Sequence, residues 1–135
     1  MRPLERIPAV RRLQTDREDV FAVDVTGEFT AADAENLCGL LEGAYAIDDR
    51  IDLIARLTGL EQVDLDGLSG ETAILMREHL NQHVARCAII GDTSRAAQVE
   101  RLFSSGTSAE LRHFTRDRDA DAWAWIGANE IPERV

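Results

Sequence analysis

The chain has 135 residues, 44% of them hydrophobic and 30% charged, with nine glycines and three prolines. That composition excludes collagen-like, low-complexity and disordered chains and predicts a single domain over 1–135 with one compact core at about residues 10–128. Fifteen arginines face 25 acidic side chains for a formal charge of −10 at pH 7, which argues against nucleic acid and anionic membranes as partners, and with no lysine a Walker P-loop, an internal Schiff base and a lysine general base are excluded.

In chain order, a short apolar run at Val10 to Leu13 precedes the polar cluster Gln14 to Asp19 and the alternating, β-branched run Val20 to Val25, a pattern that predicts a β-hairpin. Thr30 followed by Asp33 has the spacing of a capping box, so a helix starts there, with Leu37, Leu40, Leu41, Ala44 and Tyr45 as its apolar stripe. A third strand over Ile51 to Leu57 sets Ile51, Leu53 and Ala55 against Asp52, Ile54 and Arg56 and stops at Thr58-Gly59. A ten-residue loop, Thr58 to Gly67, then carries Glu61, Asp64 and Asp66. A second helix runs from about Leu68 to Gln82 with Ala73, Met76 and Leu80 buried and Ile74 and Leu75 partly matched to that stripe.

Val84 to Ile90 is apolar except at Arg86, which suits a central parallel strand covered on both faces. Gly91-Asp92 ends it, and Asp92 is placed to cap a third helix from Thr93 to Phe103. A fifth strand is expected over Ala109 to Phe114, and Thr115 or Asp117 caps a last helix that ends near Ala128. The order ββαβαβαβα predicts an α/β fold: a mixed, mostly parallel five-stranded sheet with about four helices.

Charge is unevenly spread, at +3 over residues 1–15, −11 over 16–66 and −2 over 67–135. Arginines interrupt every apolar stretch near the start, so no secretory signal is expected, and no apolar run reaches the roughly 18 residues of a membrane span. Cys38 and Cys87 lie in apolar runs without CxxC spacing and read as buried free thiols of a cytoplasmic protein.

Three stretches, VFAVDVTGEFTAADAENL, HVARCAIIGDTSRAAQVERLF and SAELRHFTRDRDADAWAWI, together resemble the SpoIIAA-like family, whose fold is similar to STAS domains and to the CRAL-TRIO lipid-binding superfamily. The resemblance covers roughly Val20 to Ile126. STAS relatives of the anti-sigma antagonist type imply a non-catalytic module switched by phosphorylation of a Ser within Asp-Ser-Ser-Gly. The nearest match here is Asp64-Leu65-Asp66-Gly67, where a permanent carboxylate replaces the hydroxyl, as partial mimicry of a phosphate. Ser69 is the nearby alternative acceptor, and either Asp66 or Ser69 also serves as the ordinary N-cap of the second helix. The CRAL-TRIO likeness implies a second activity, binding of an apolar, lipid-like molecule, for which 135 residues leave room only for a shallow groove.

Ligands of open α/β sheets gather where strands end and helices begin, an edge expected to collect Asp64, Asp66, Ser69, Gly91, Asp92 and Thr93 and to favour a basic protein segment or a neutral molecule. His79 and His83 share one helix face, yet two ligands do not make a metal site, so neither a metal nor another cofactor is expected. Gly67-Leu68-Ser69-Gly70-Glu71 lacks the final glycine of a nucleophile elbow, and no catalytic activity is expected. Trp123 and Trp125 sit about 200° apart on a helix. Ala122, Trp125 and Ile126 form the inward stripe, which leaves Trp123 partly exposed as an anchor for a partner or a second copy.

Overall fold

In the computed structural model, residues 9–92, 94, 97 and 110–131 are described. Strand β1 (Val10–Thr15) and β2 (Val20–Thr30) form the expected hairpin, and α1 (Ala31–Ile47), β3 (Ile51–Asp64), α2 (Gly70–His83), β4 (Val84–Ile90) and β5 (Glu110–Phe114) follow. A 3-10 turn at Arg116–Arg118 leads into α3 (Asp119–Ile126), and a two-residue β6 (Glu130–Ile131) closes the order. The sheet runs β5-β4-β3-β2-β1-β6, with β2 to β5 parallel and β1 antiparallel to both its neighbours. The mixed, mostly parallel α/β class stands, with six strands where five were expected: Glu130 and Ile131, past the last helix, pair with Thr15 and Gln14. Of the helix expected from Thr93 to Phe103, only Ser94 and Ala97 are among the described residues, and both are helical.

Both faces of the sheet are apolar because parallel strands are covered on both sides. On one face Phe21, Val23, Leu53, Leu57, Cys87 and Ile89 pack against Leu37 and Leu41 of α1 and Met76 and Leu80 of α2. On the other, Ala22, Ile54, Ala88, Ile90 and Phe114 receive Ala122, Trp123 and Ile126 of α3. The Thr30 capping box forms as its spacing predicts: the Thr30 amide and hydroxyl both donate to Asp33 Oδ2, at 2.8 and 2.9 Å, and seat α1 directly on the end of β2.

Thr58-Gly59 does not end β3, which continues to Asp64 and turns most of the expected loop into strand. Beyond Leu57 it pairs with Thr26 to Thr30 of β2 through two register shifts, at the second of which Gly27 takes a φ of 67°. Gly59 marks close approach rather than a stop, since a Cβ there would lie 2.8 Å from Thr26 Cγ2.

Helix α3 has eight residues, too few to persist alone, and charged groups on the sheet hold it at both ends. Asp52 on β3 is 5% exposed. Its Oδ1 accepts from the Arg86 amide at 3.2 Å, its Oδ2 accepts from Arg86 Nη2 at 3.2 Å, and Arg17 Nη2 is 3.7 Å away. Arg86 and Arg17 in turn donate to the α3 C-terminal carbonyls, Arg86 to Trp125 O and Ile126 O and Arg17 to Ile126 O, where positive charge complements the helix dipole. Four residues along β3, Arg56 pairs with Asp119 at the first turn of α3 at 3.0 Å and with Glu130 of β6 at 2.6 Å. Burial disfavours the Arg56 charge, but Glu130 and Asp119 outweigh it and hold the guanidinium more firmly protonated than usual. Gly127 then closes the helix in the left-handed region at φ 84°.

Replacing Asp52 by Ala leaves the Arg86 guanidinium without a carboxylate among the described residues, while Arg17 keeps Asp19 at 2.6 Å, and is expected to cost about 2–3 kcal/mol, a fall in Tm of roughly 8–12 °C by thermal unfolding. Gly59→Ala is expected to cost about 1–3 kcal/mol through the clash with Thr26, and Thr26→Ser, which removes Cγ2, recovers most of it in a double-mutant cycle.

Candidate functional site

The two halves of the expected ligand edge do not converge. Gly91 ends β4 against Leu57, where a Cβ added at Gly91 would lie 3.1 Å from the Leu57 Cβ. Asp64 is seven residues farther along β3, about 23 Å of extended strand, and pairs with Thr30 at the start of α1. The long β2–β3 arm therefore carries Asp64, Asp66 and Ser69 away from Gly91 and from Asp92, which is exposed. Thr93 lies outside the described residues.

At the arm's tip the chain folds into a tight turn, in which the Asp66 amide donates to Asp64 Oδ1 at 3.1 Å and the Leu68 amide to Leu65 O at 3.0 Å. Of the two candidate caps, Ser69 is the one used: its Oγ accepts from the Thr72 amide at 3.1 Å. The Asp66 carboxylate is left exposed beside it, so the tip shows two carboxylates to solvent at the entrance of α2.

Helix α2 then turns Met76 and Leu80 to the sheet and leaves Ile74 54% and Leu75 44% exposed. Both were expected at least partly inside; successive residues are about 100° apart, so a helix that buries Met76 and Leu80 turns Ile74 and Leu75 outward. Ile47, at the end of α1, is 78% exposed. The sequence signal for this surface is the unbroken apolar run Ile74-Leu75-Met76, longer than one helix stripe can absorb.

Where α1 and α2 meet, His79 Nδ1 lies 2.8 and 2.7 Å from the two oxygens of Glu42, and His83 Nδ1 lies 2.8 Å from Asp49 O. His83 stacks on Tyr45 with ring centroids 4.5 Å apart. Among the described residues no group of three or more His, Cys, Asp or Glu is placed to hold a metal ion. The Tyr45 hydroxyl is buried without a hydrogen-bond partner, and that burial, reinforced by the nearby Glu42 charge, pushes its pKa well above the usual tyrosine range. Burial, with Glu42 again adding to it, raises the thiol of Cys38, and neither cysteine is in a disulfide.

Trp123 is not the partly exposed residue expected. It is 6% exposed and packs with Ala122 and Ile126 against the sheet. Trp125 takes the outer position, half-buried, because the sheet offers it Phe114 at 5.9 Å and the guanidiniums of Arg86 and Arg112, each 5.5 Å from its ring. The expected side-chain cap of the last helix is absent too: the Thr115 hydroxyl donates to Asp117 Oδ1 at 2.6 Å. A cleft of about 440 Å³ at the β1–β2 turn is lined by Arg12, Leu13, Thr15, Asp16, Arg17 and Glu18, a set suited to hydrated rather than hydrocarbon ligands. No described helix is long and apolar enough to cross a membrane.

A model of the SpoIIAA-like family matches residues 20–127. Among solved structures, the chain is similar to an uncharacterised DUF3478-family protein with a SpoIIAA-like fold from Shewanella loihica PV-4, at 20% identity and a TM-score of 0.65, over 92% of this chain and 98% of that one. No curated protein matches.

Tyr45 is the one tyrosine and no lysine titrates near it, so alkaline titration reads it cleanly. The unfolded state ionises at about pH 10 while the folded state keeps the proton, so folding stability is expected to fall as pH rises above about 10. Phenolate absorbance should appear together with unfolding, and Tyr45→Phe should flatten the decline at little cost near neutrality.

Proposed function

Because the chain belongs to the SpoIIAA-like family, we propose that it is a non-catalytic regulatory module that works by docking on another protein. Domains of this fold are in general regulatory and not enzymatic, and they commonly act through protein contacts. The observation that carries the reading is the outward face of α2, where Ile74 and Leu75 stand exposed one turn into the helix whose entrance shows the carboxylates of Asp64 and Asp66. An exposed apolar pair rimmed by charge is the anatomy of a docking patch. The carboxylates select a basic segment, and the apolar pair supplies the contact area. Asp66 provides its negative charge permanently, so docking here needs no phosphorylation at that position. Two cysteines outside any disulfide fit work in the reducing cytoplasm.

Full burial of an aliphatic side chain is worth about 1.5–3 kcal/mol. Replacing Ile74 and Leu75 together by Asp is therefore expected to weaken binding of the native partner more than about tenfold by calorimetry. The Tm should move by only a few degrees, because both side chains are already about half exposed. A photocrosslinker at Ile74 in the native cell should trap that partner, while one at exposed Ala124 should not. Native mass spectrometry that finds an apolar molecule copurifying with the chain, with no protein trapped at Ile74, would replace this reading by that of a small carrier.

A further inference from the structure

Strand β5 ends the sheet. It pairs with β4 on one side, and among the described residues nothing pairs with its other edge. Open edges are commonly blunted by charged side chains, prolines or bulges, and like charges set opposite each other repel. Here the two exposed charges are opposite in sign. Glu110 and Arg112 lie two residues apart on one face of β5, and neither makes an ion pair with any described residue. Arg112 is also held in place, its guanidinium 5.5 Å from the Trp125 ring and 5.8 Å from that of Phe114. A cation stacked on two rings is positioned for a carboxylate that none of the described residues supplies.

We propose that β5 is a self-association edge, pairing antiparallel with β5 of a second copy about a two-fold axis through Leu111. In such a pairing, residues directly opposite share a face, so the axis passes through one residue and its own copy. Centring on Glu110 opposes two carboxylates, and centring on Arg112 opposes two guanidiniums. Centring on His113 sets Arg112 against Phe114. Centring on Leu111 places Glu110 of each copy opposite Arg112 of the other, two neutralised pairs per interface, and brings the half-buried Leu111 side chains together on the opposite face. The two sheets then continue as one, with backbone hydrogen bonds across the joint. The surface is separate from the α2 patch, and this inference does not rest on the docking reading above.

Sedimentation of the full chain over a range of concentrations tests it, with E110R, R112E and the double variant E110R/R112E. All replaced residues are exposed, and circular dichroism checks that folding is kept. The wild type should show a monomer–dimer equilibrium. Each single reversal should raise the dissociation constant about tenfold or more, because it turns both pairs repulsive. The double variant should return close to the wild-type value. An equimolar mixture of the two single variants should form a mixed dimer by native mass spectrometry, since two positive positions on one chain then face two negative ones on the other. A wild type that stays monomeric, a dimer indifferent to the single reversals, or a double variant or mixture that fails to recover pairing would each overturn the proposal. Partner capture at Ile74 should persist in the single variants, so loss of the dimer and loss of docking read separately.

Discussion

Asp52 is a carboxylate taken out of water, and so much converges on it that the α3 face of the sheet has few other ways to assemble. It lies at the start of the third strand, bound by the amide and guanidinium of Arg86 and approached by Arg17, and those same arginines hold the last carbonyls of an eight-residue helix. Arg56, four residues on and on the same side of the strand, holds the other end of that helix through Asp119. A helix so short has no stability of its own and is ordered by what it packs on. The ladder Asp52, Ile54, Arg56 thus reads as anion, apolar contact, cation along one strand face, and α3 lies over it with matching ends. The sixth strand follows from the same clamp, because Arg56 also pairs with Glu130 while Asn129 bonds Asp16 through side chain and backbone.

The opposite face is held by apolar packing under α1 and α2, and the surface features that bear on function lie around its rim. The extension of β2 and β3 beyond the rest of the sheet sets the acidic turn well clear of the strand ends where a small ligand of an open α/β sheet would sit. What the tip shows to solvent is carboxylates, a capped helix start and, one turn later, exposed Ile74 and Leu75. An exposed apolar pair with charged groups near it suits a macromolecular surface better than it suits a small molecule. Membership of the SpoIIAA-like family agrees with a regulatory role in general, and the chain shares its fold with the Shewanella protein.

Arginine is the chain's one strong cation, and the fold divides its uses. Arg17, Arg56 and Arg86 are structural, each spent on buried or half-buried carboxylates and carbonyls. Among the described residues Arg112 contacts rings alone. Because guanidinium is planar it can stack and still present N–H groups outward, which is why an exposed arginine resting on Trp125 remains available for a further contact.

Most element positions were legible in the sequence because they rest on local rules. The alternation of Val20 to Val25, the Thr30 and Asp33 spacing, and the run Val84 to Ile90 each specify their element through neighbours a few residues away, and the order of those elements was enough for the α/β class and the family resemblance. What tertiary structure alone decided depended on partners far along the chain. Thr58-Gly59 has the look of a terminator until Thr26 of the neighbouring strand shows that only glycine fits there. The choice between Trp123 and Trp125 as the inward ring turned on the sheet's offering Arg86, Arg112 and Phe114 to one of them, a cost and gain no helical wheel contains. The candidate ligand edge failed as a cluster for the same reason: residues at strand ends are neighbours only if the strands end at one level, and strand length is set by pairing across the sheet rather than by the residues of one strand.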